Sequence, residues 1–416
     1  MGNQEYIPLM DDTLKSVPID KYGMAWGCFC LLGVGLLFPF NCYIAASDYF
    51  GSLYPTVPYD FFISLAYNYF QWVLLFVSAY VMPKFSFKSR ITIFILAGAA
   101  ILFFIPFIHM IFSANNTVSM AISLICTFFS GCLASLLFGS VLGLVALFPG
   151  EYTGAVMSGN GVAGVIASLL RIITKVSYSD SPSALKSSSF LYFFLGGGLL
   201  VICFLCFIVL LQLPITKYYL ASYEASKFQS KDSINGSADK KKVSIKELMK
   251  KIWREALVVF TIFFTTLSLF PGITSLVQNT GDNKMSQDWF QILFVLFFMI
   301  GDVTGRTIPK WFIIFKPTNL WIPTFLRLLF FPLFALCVKP LVFRSDAWYF
   351  IFMFIFALSN GYCGTLAMMF GPSKADEHEK EITGIVMSFC LNFGIWISTH
   401  FAFLVLYLVT GSTVVL

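Results

Sequence analysis

The chain has 416 residues, 58% of them hydrophobic and only 12% charged, with a net charge of +6 and a mean hydropathy of +0.82. Soluble domains carry about 25% charged residues, so a soluble globular protein is excluded. Nearly uncharged segments recur from end to end, and the expected fold is therefore an all-α polytopic membrane protein. Each helix needs about 20 apolar residues to cross the bilayer core and closes its backbone hydrogen bonds within itself.

The first apolar run begins after some twenty polar residues, so no cleaved signal peptide is expected. Within that tail, Tyr6-Ile-Pro-Leu9 has the form of a tyrosine sorting signal, and Glu5 with Leu9-Met10 loosely that of an acidic dileucine. Gly2 lacks the Ser or Thr at position 6 of a myristoylation site. A plasma-membrane location is expected, and the tail signals leave an endolysosomal one as the alternative.

Eleven spans follow, at 23–45, 60–82, 91–112, 118–147, 152–175, 189–212, 255–277, 287–307, 318–338, 347–370 and 381–409. The long polar stretch 213–254 divides them. It separates a cytoplasmic tail (1–22) and a six-helix bundle (23–212) from a five-helix bundle (255–416). With the N-terminus placed in the cytoplasm, nineteen Lys and Arg fall on the inner side and five on the outer. The positive-inside rule then fixes the N-terminus as cytoplasmic and, with an odd number of spans, the C-terminus as extracellular. The net positive charge follows from this topology, and no nucleic-acid partner is implied.

In the first span Pro39, within 36-LLFPFN-41, removes a backbone hydrogen bond and favours a kink, as does Pro271 in the seventh. The sequon Asn115-Asn116-Thr117 stands in an outer loop, close to the membrane. The fourth span places Gly131, Ser135, Gly139 and Gly143 one turn apart, and the fifth answers with 154-GAVMSGNGVAGVIAS-168. Small residues on every turn let helix backbones approach closely, and the short link at 148–152 makes these two spans antiparallel neighbours. Packing accounts for the glycines. It does not account for Asn160, an amide between two of them, which needs a partner from another helix or from a ligand.

In the polar stretch, 226-SKFQSKDSINGSADKKK-242 reads as flexible linker. Residues 244-SIKELMKKIW-253 read as a basic amphipathic helix with a Ser244/Glu247 capping box. Ile245, Leu248, Met249 and Ile252 share one face, which would lie on anionic lipids of the inner leaflet.

Four charges fall inside spans: Arg171, Asp302, Arg306 and Arg327. A charge at that depth costs about 2.5–3.5 kcal/mol on insertion scales and marks a pathway or site by default. Arg171, near a helix end, can snorkel; Arg327 is expected to order helices. His109 and His400 are read as structural. Asp302 and Arg306, four residues apart, share a face and partly neutralise each other. A buried pair rarely returns its desolvation cost through structure alone, so the expected role is a polar patch on a central cavity. There a carboxylate accepts from ligand hydroxyls and a guanidinium donates to an oxygen or ring nitrogen.

The ten cysteines lie mostly within apolar runs, without metal-ligand spacing, so neither a zinc site nor a disulfide framework is expected. No phosphate-binding glycine loop, paired catalytic carboxylates, Ser/His set or HExxH is present in the spans, so no enzymatic activity, metal or cofactor is expected.

Four blocks, in order, resemble the equilibrative nucleoside transporters: 33-GVGLLFPFNCYIAASDYF-50, 148-FPGEYTGAVMSGNGVAG-164, Asp302-x-x-Gly305-Arg306, and 368-MMFGPSKADEHEKEITGIVMSF-389. The resemblance covers about residues 20–409 and implies a major-facilitator-like 6+5 arrangement. It also implies facilitated passage of nucleosides, purine nucleosides foremost and nucleobases as well, by alternating access at a site between the bundles. By this resemblance Asp302 and Arg306 engage the nucleoside. The family's base-reading amide, usually Gln, is here Asn160, one methylene shorter. The aromatic of the first span is Phe40 where the family has Trp, followed by Asn41 as in the family. Trp72 is assigned to the same aromatic wall, and Phe270-Pro271 to the outer gate. The expected protein is a monomer whose partners are its small-molecule substrate and the bilayer. Two alternatives stand beside this reading. One is a proton-coupled symporter with Asp302 as carrier, against which the pairing to Arg306 argues; the other is a receptor that binds a polar ligand without moving it.

Overall fold

The computed structural model describes residues 16–54, 59–112, 114–177, 182–232, 244–280, 285–339, 341–343 and 345–410; the tail signals at residues 2–10 lie outside them. Every described element is a helix. The first half comprises α1 (Met24–Ala45), α2 (Ser47–Leu53), α3 (Tyr59–Asn68), α4 (Gln71–Val81), α5 (Phe87–Ile111), α6 (Asn116–Val145), α7 (Gly150–Ser177) and α8 (Pro182–Gln212). A helical connector, α9 (Pro214–Asp232), leads to α10 (Ile245–Leu269), α11 (Gln287–Thr307), α12 (Trp321–Leu326), α13 (Phe330–Val338), α14 (Asp346–Ser373) and α15 (Lys380–Thr410). Together they form eleven stretches long and apolar enough to cross a membrane, six before the connector and five after it.

Lipid tails are as apolar as leucine, so packing between such helices depends on close fit rather than on apolar area. The outer faces accordingly leave Ile93, Ile125, Phe129, Ile202, Leu205, Leu329 and Leu408 exposed. The inner faces meet in two clusters. One runs through both halves; the other, rich in phenylalanine, joins the end of α10, the start of α11, α13 and the start of α14.

Two spans are not single helices. The second breaks between α3 and α4 at Tyr69–Phe70, where Gln71 donates to the freed Tyr67 carbonyl at 3.0 Å. The ninth tightens to a 3-10 turn at Arg327–Leu329 between α12 and α13. Pro39 is accommodated inside α1, which runs through it. Pro271 instead follows the end of α10, because Phe270 before it is extended, at φ −108° and ψ 132°. Asn115 is exposed and caps α6 by accepting from the Val118 amide at 3.1 Å.

The polar stretch differs from expectation. Residues 226–232 continue α9, while 233–243 lie outside the described residues. Residues 245–253 are the first turns of α10, not a separate surface helix. Leu248 and Ile252 are fully buried, and Ile245 and Met249 pack against the same core. The apolar face is thus covered by protein and unavailable to a lipid leaflet. Ser244 takes the N-cap position, yet its hydroxyl makes no capping bond.

Candidate functional site

The charged face of α11 points inward. Asp302 and Arg306 keep only 5% and 7% of their surface exposed, and the Arg306 Nε donates to Asp302 Oδ2 at 2.6 Å. The i to i+4 spacing makes this geometry a property of the helix itself. The other carboxylate oxygen, Oδ1, accepts from Asn360 Nδ2 on α14 at 2.7 Å. The pair uses one nitrogen of the guanidinium. Among the described residues, neither terminal nitrogen of Arg306 has a hydrogen-bond partner, which leaves two NH2 groups, four N–H donors, for a ligand.

Asn160 on α7 lies against this face. Its neighbour Gly161 has no room for a side chain: a Cβ there would stand 2.8 Å from the Val303 Cα and 3.1 Å from Arg306 Cδ. On the other side a Cβ at Gly159 would stand 1.9 Å from the Cys30 carbonyl oxygen of α1. The two glycines therefore let α7 sit between α1 and α11 with Asn160 between them. Ser158 adds a hydroxyl that donates to the Arg306 carbonyl at 3.2 Å. Asn160 itself is 4% exposed. Its amide makes only a 3.9 Å contact to Met157 Sδ, and its Oδ1 is buried with no partner. A buried carbonyl oxygen left open costs about 1–3 kcal/mol, so the group is arranged for something that arrives.

The other expected residues fall into two places. Phe40 packs on Tyr67 at 4.9 Å, and the Asn41 side-chain nitrogen beside it is buried without a partner. Trp72 packs at a tilt on Trp396 at 4.9 Å and on Phe393 at 5.6 Å, which ties α4 to α15; its indole nitrogen is likewise open. Phe270 lies face to face with Phe298 at 4.0 Å, one turn before Asp302, while Pro271 is exposed. The structure thus holds Asp302 against Arg306, packs the turn of α7 that carries Asn160 on the same helix through Ser158 and Gly161, and sets Phe40 with Asn41, Trp72, and Phe270 around aromatic contacts of their own.

Two groups escaped the sequence reading. Asn360 is one; it stands in 359-SNG-361, an amide beside a glycine as in 158-SGNG-161, and that likeness was the available signal. The second is a cluster at the lysine-rich end. There Arg90 of α5 meets Glu381 of α15 at 2.6 Å, both side chains 2% exposed, and Tyr223 of α9 donates to the other carboxylate oxygen at 2.5 Å. Nearby, Lys310 lies 3.8 Å over the Trp26 ring. Both contacts join the six-helix half to the five-helix half. Arg171 is expected to snorkel and instead donates to the Ala45 carbonyl at the end of α1, at 3.4 Å. All ten cysteines are free thiols.

The sequence model of the nucleoside transporter family matches residues 119–407. Equilibrative nucleotide transporter 1 of Arabidopsis thaliana is 28% identical over 90% of this chain and 84% of its own length. Equilibrative nucleoside transporter 1 of Homo sapiens is also 28% identical, over 94% of this chain and 99% of its own. Among solved structures, the major facilitator proton:xylose symporter XylE superposes with a TM-score of 0.62 at 12% identity, covering 94% of this chain and 90% of that one. At that identity the likeness is one of fold.

Proposed function

From its membership of the nucleoside transporter family, to which this chain belongs, we propose that the protein is a facilitative carrier of purine nucleosides, and of nucleobases, working by alternating access. Facilitative nucleoside transport is the activity of its relatives by name; the substrate class and mechanism are the further step. The observation that carries the reading is the buried Asp302–Arg306 pair with the guanidinium's terminal nitrogens free among the described residues, and the α7 turn bearing the open Asn160 carbonyl packed on the same helix. A nucleoside is flat, uncharged and polar at its rim. The amide suits a base edge, and the guanidinium and carboxylate suit ribose hydroxyls or ring nitrogens; the reading assigns Phe40, Asn41 and Trp72 to the substrate path, where each now packs on protein or lies buried. Phe270-Pro271 closes the outer side in this reading, and the lysine-rich end is cytoplasmic.

Asp302 accepts at both oxygens from an arginine and an amide. That arrangement suits the carboxylate, and it favours flux uncoupled from protons over symport. Alternating access is supported by the cross-half contacts at the lysine-rich end, Arg90–Glu381 and Trp26–Lys310, which have to part for the site to open there.

The test is uptake of labelled adenosine and inosine into proteoliposomes. Saturable uptake, accelerated by preloaded cold nucleoside and indifferent to a pH gradient, is the expected result. Binding without counterflow would replace the carrier with a receptor, and acceleration by an inward proton gradient would replace uniport with symport. The monomeric state and residence in the plasma membrane belong to the same proposal, and cell-surface biotinylation reads the latter.

A further inference from the structure

Arg327 is 2% exposed and, among the described residues, no carboxylate touches it. Its two terminal nitrogens are nonetheless held, while its Nε is buried without a partner. It donates to the Phe356 carbonyl at 2.7 Å, contacts the Ser359 hydroxyl, and lies 4.8 Å over the Phe356 ring. Its Nη2 donates to the Thr266 hydroxyl of α10 at 2.7 Å. That hydroxyl in turn is 2.7 Å from the Asn360 Oδ1, and Asn360 Nδ2 donates to Asp302 Oδ1 at 2.7 Å. With the Thr266 proton given to Asn360, the shorter of its two acceptors, a line of hydrogen bonds runs from a buried cation to the carboxylate of the candidate site.

The chemistry allows only one sense along this line. A guanidinium can only donate, so Thr266 receives from Arg327 and its single proton is free for a second acceptor. Two acceptors are in reach: the Ile262 carbonyl one turn back at 2.8 Å, and Asn360 Oδ1. An ionised carboxylate can only accept, so Asn360 presents its NH2 to Asp302 and its oxygen to Thr266. Each bond polarises the next. The first acid that Arg327 reaches is therefore Asp302, which already pairs with Arg306.

We infer that Arg327, Thr266 and Asn360 are positioning residues for the substrate site: they hold the Asp302 carboxylate in one orientation against Arg306. The inference rests on the proposed nucleoside carriage, since that is what the site would be positioned for. Both carboxylate oxygens are engaged on their protein sides, which aims the remaining lone pairs away from Arg306 and Asn360. The line also crosses four elements of the five-helix half, so the site keeps its shape while that half moves as a body.

The test compares labelled-adenosine uptake kinetics of wild type, Thr266→Val, Thr266→Ser, Asn360→Ala and the Thr266→Val/Asn360→Ala pair in proteoliposomes. Thr266→Val is expected to raise KM about fivefold to tenfold with Vmax within about twofold, and Thr266→Ser to return KM to wild type. In the Asn360→Ala background, Thr266→Val should add nothing further, because the line is already cut. An unchanged KM in Thr266→Val, or an additive effect in the pair, would overturn the inference and leave Thr266 as helix packing. A wild type without nucleoside uptake would instead overturn the carrier reading, and this inference with it. Thr266→Val is close to isosteric, and its melting temperature beside wild type separates a kinetic effect from a folding one.

Discussion

Among the described residues, two ion pairs have both partners buried, Asp302–Arg306 and Arg90–Glu381, and they are built in opposite ways. Asp302 and Arg306 belong to one turn of one helix and remain 2.6 Å apart whatever the helix does as a body. Arg90 and Glu381 lie 291 residues apart, on α5 and α15, and the same 2.6 Å holds only while the two halves are in contact. A pair of the first kind is indifferent to conformation and can be given over to a ligand. A pair of the second kind is itself a conformational bias, because opening that end leaves two buried charges to be hydrated separately. The contrast separates residues that recognise from residues that set which state is populated, although both pairs look alike by distance and burial.

The most severe way to break the contrast is to remove one member of the intrahelical pair. Asp302→Ala or Arg306→Ala leaves an uncompensated buried charge at a cost of about 3–5 kcal/mol. Nucleoside uptake per reconstituted molecule is expected to fall at least about 100-fold, with no recovery in an Asp302→Arg/Arg306→Asp exchange, since ligand geometry is lost. The interhelical pair is expected to behave otherwise. Arg90→Ala and Glu381→Gln should each slow turnover about tenfold, equivalent to roughly 1.4 kcal/mol. The Arg90→Glu/Glu381→Arg exchange should restore part of it, because what matters there is attraction across the interface and not the identity of each side. Exchange rescue at both pairs, or at neither, would dissolve the distinction.

A smaller effect is expected at Asn160, whose open carbonyl is worth one neutral hydrogen bond. Asn160→Ala should raise KM for the preferred nucleoside about fivefold, and Asn160→Gln should change the ranking of adenosine against inosine more than it changes Vmax. The smallest effect sharpens the comparison from outside. At the lysine-rich surface Lys251 contacts both Asp376 and Glu379 at 2.7 Å, and the Lys251 ammonium holds the Asp376 carboxyl below its usual range. A depressed carboxylate contributes stability above its unfolded pKa and loses it as pH falls through the folded value. The melting-temperature gap between wild type and Asp376→Asn should therefore close on acidification below the ordinary carboxylate range. Asp376 is largely exposed, so the gap is expected to stay within about 2 °C even at neutral pH.

Much of the architecture was legible because a membrane imposes length and polarity together. Eleven apolar runs yielded eleven spans, and the DxxGR and SGNG patterns pointed to Asp302, Arg306 and Asn160. The same windows were blind to continuity. The break at Tyr69–Phe70 carries no glycine and no proline; at Arg327–Leu329 the signal was Pro332, which has no N–H for the Leu328 carbonyl, and an apolar average registers neither. Pairing was the other blind spot. Arg90 reads as one of several loop cations and Glu381 as an acid at a helix start; nothing in either neighbourhood names a partner in the other half. The amphipathic face at 245–253 was correctly periodic, yet periodicity says that a face is covered and not by what. Protein covers it here.

The contact between α7 and α11 has a mechanical consequence. Ser158 and Gly161 bring the α7 backbone against the Arg306 carbonyl and the Val303 Cα, and Gly164 seats on the Met299 side chain one turn further, at the depth of the candidate site. A pivot at that contact gives its own residues almost no travel. The lysine-rich end of α7, eight residues away at Gly150, stands about 12 Å out along the helix, where a 10° turn displaces it about 2 Å. Geometry so divided lets the binding groups keep their register to one another while the far contacts, Arg90 to Glu381 among them, go beyond hydrogen-bond reach. Under the proposed alternating access, the molecule would work as a lever whose fulcrum is also its recognition surface.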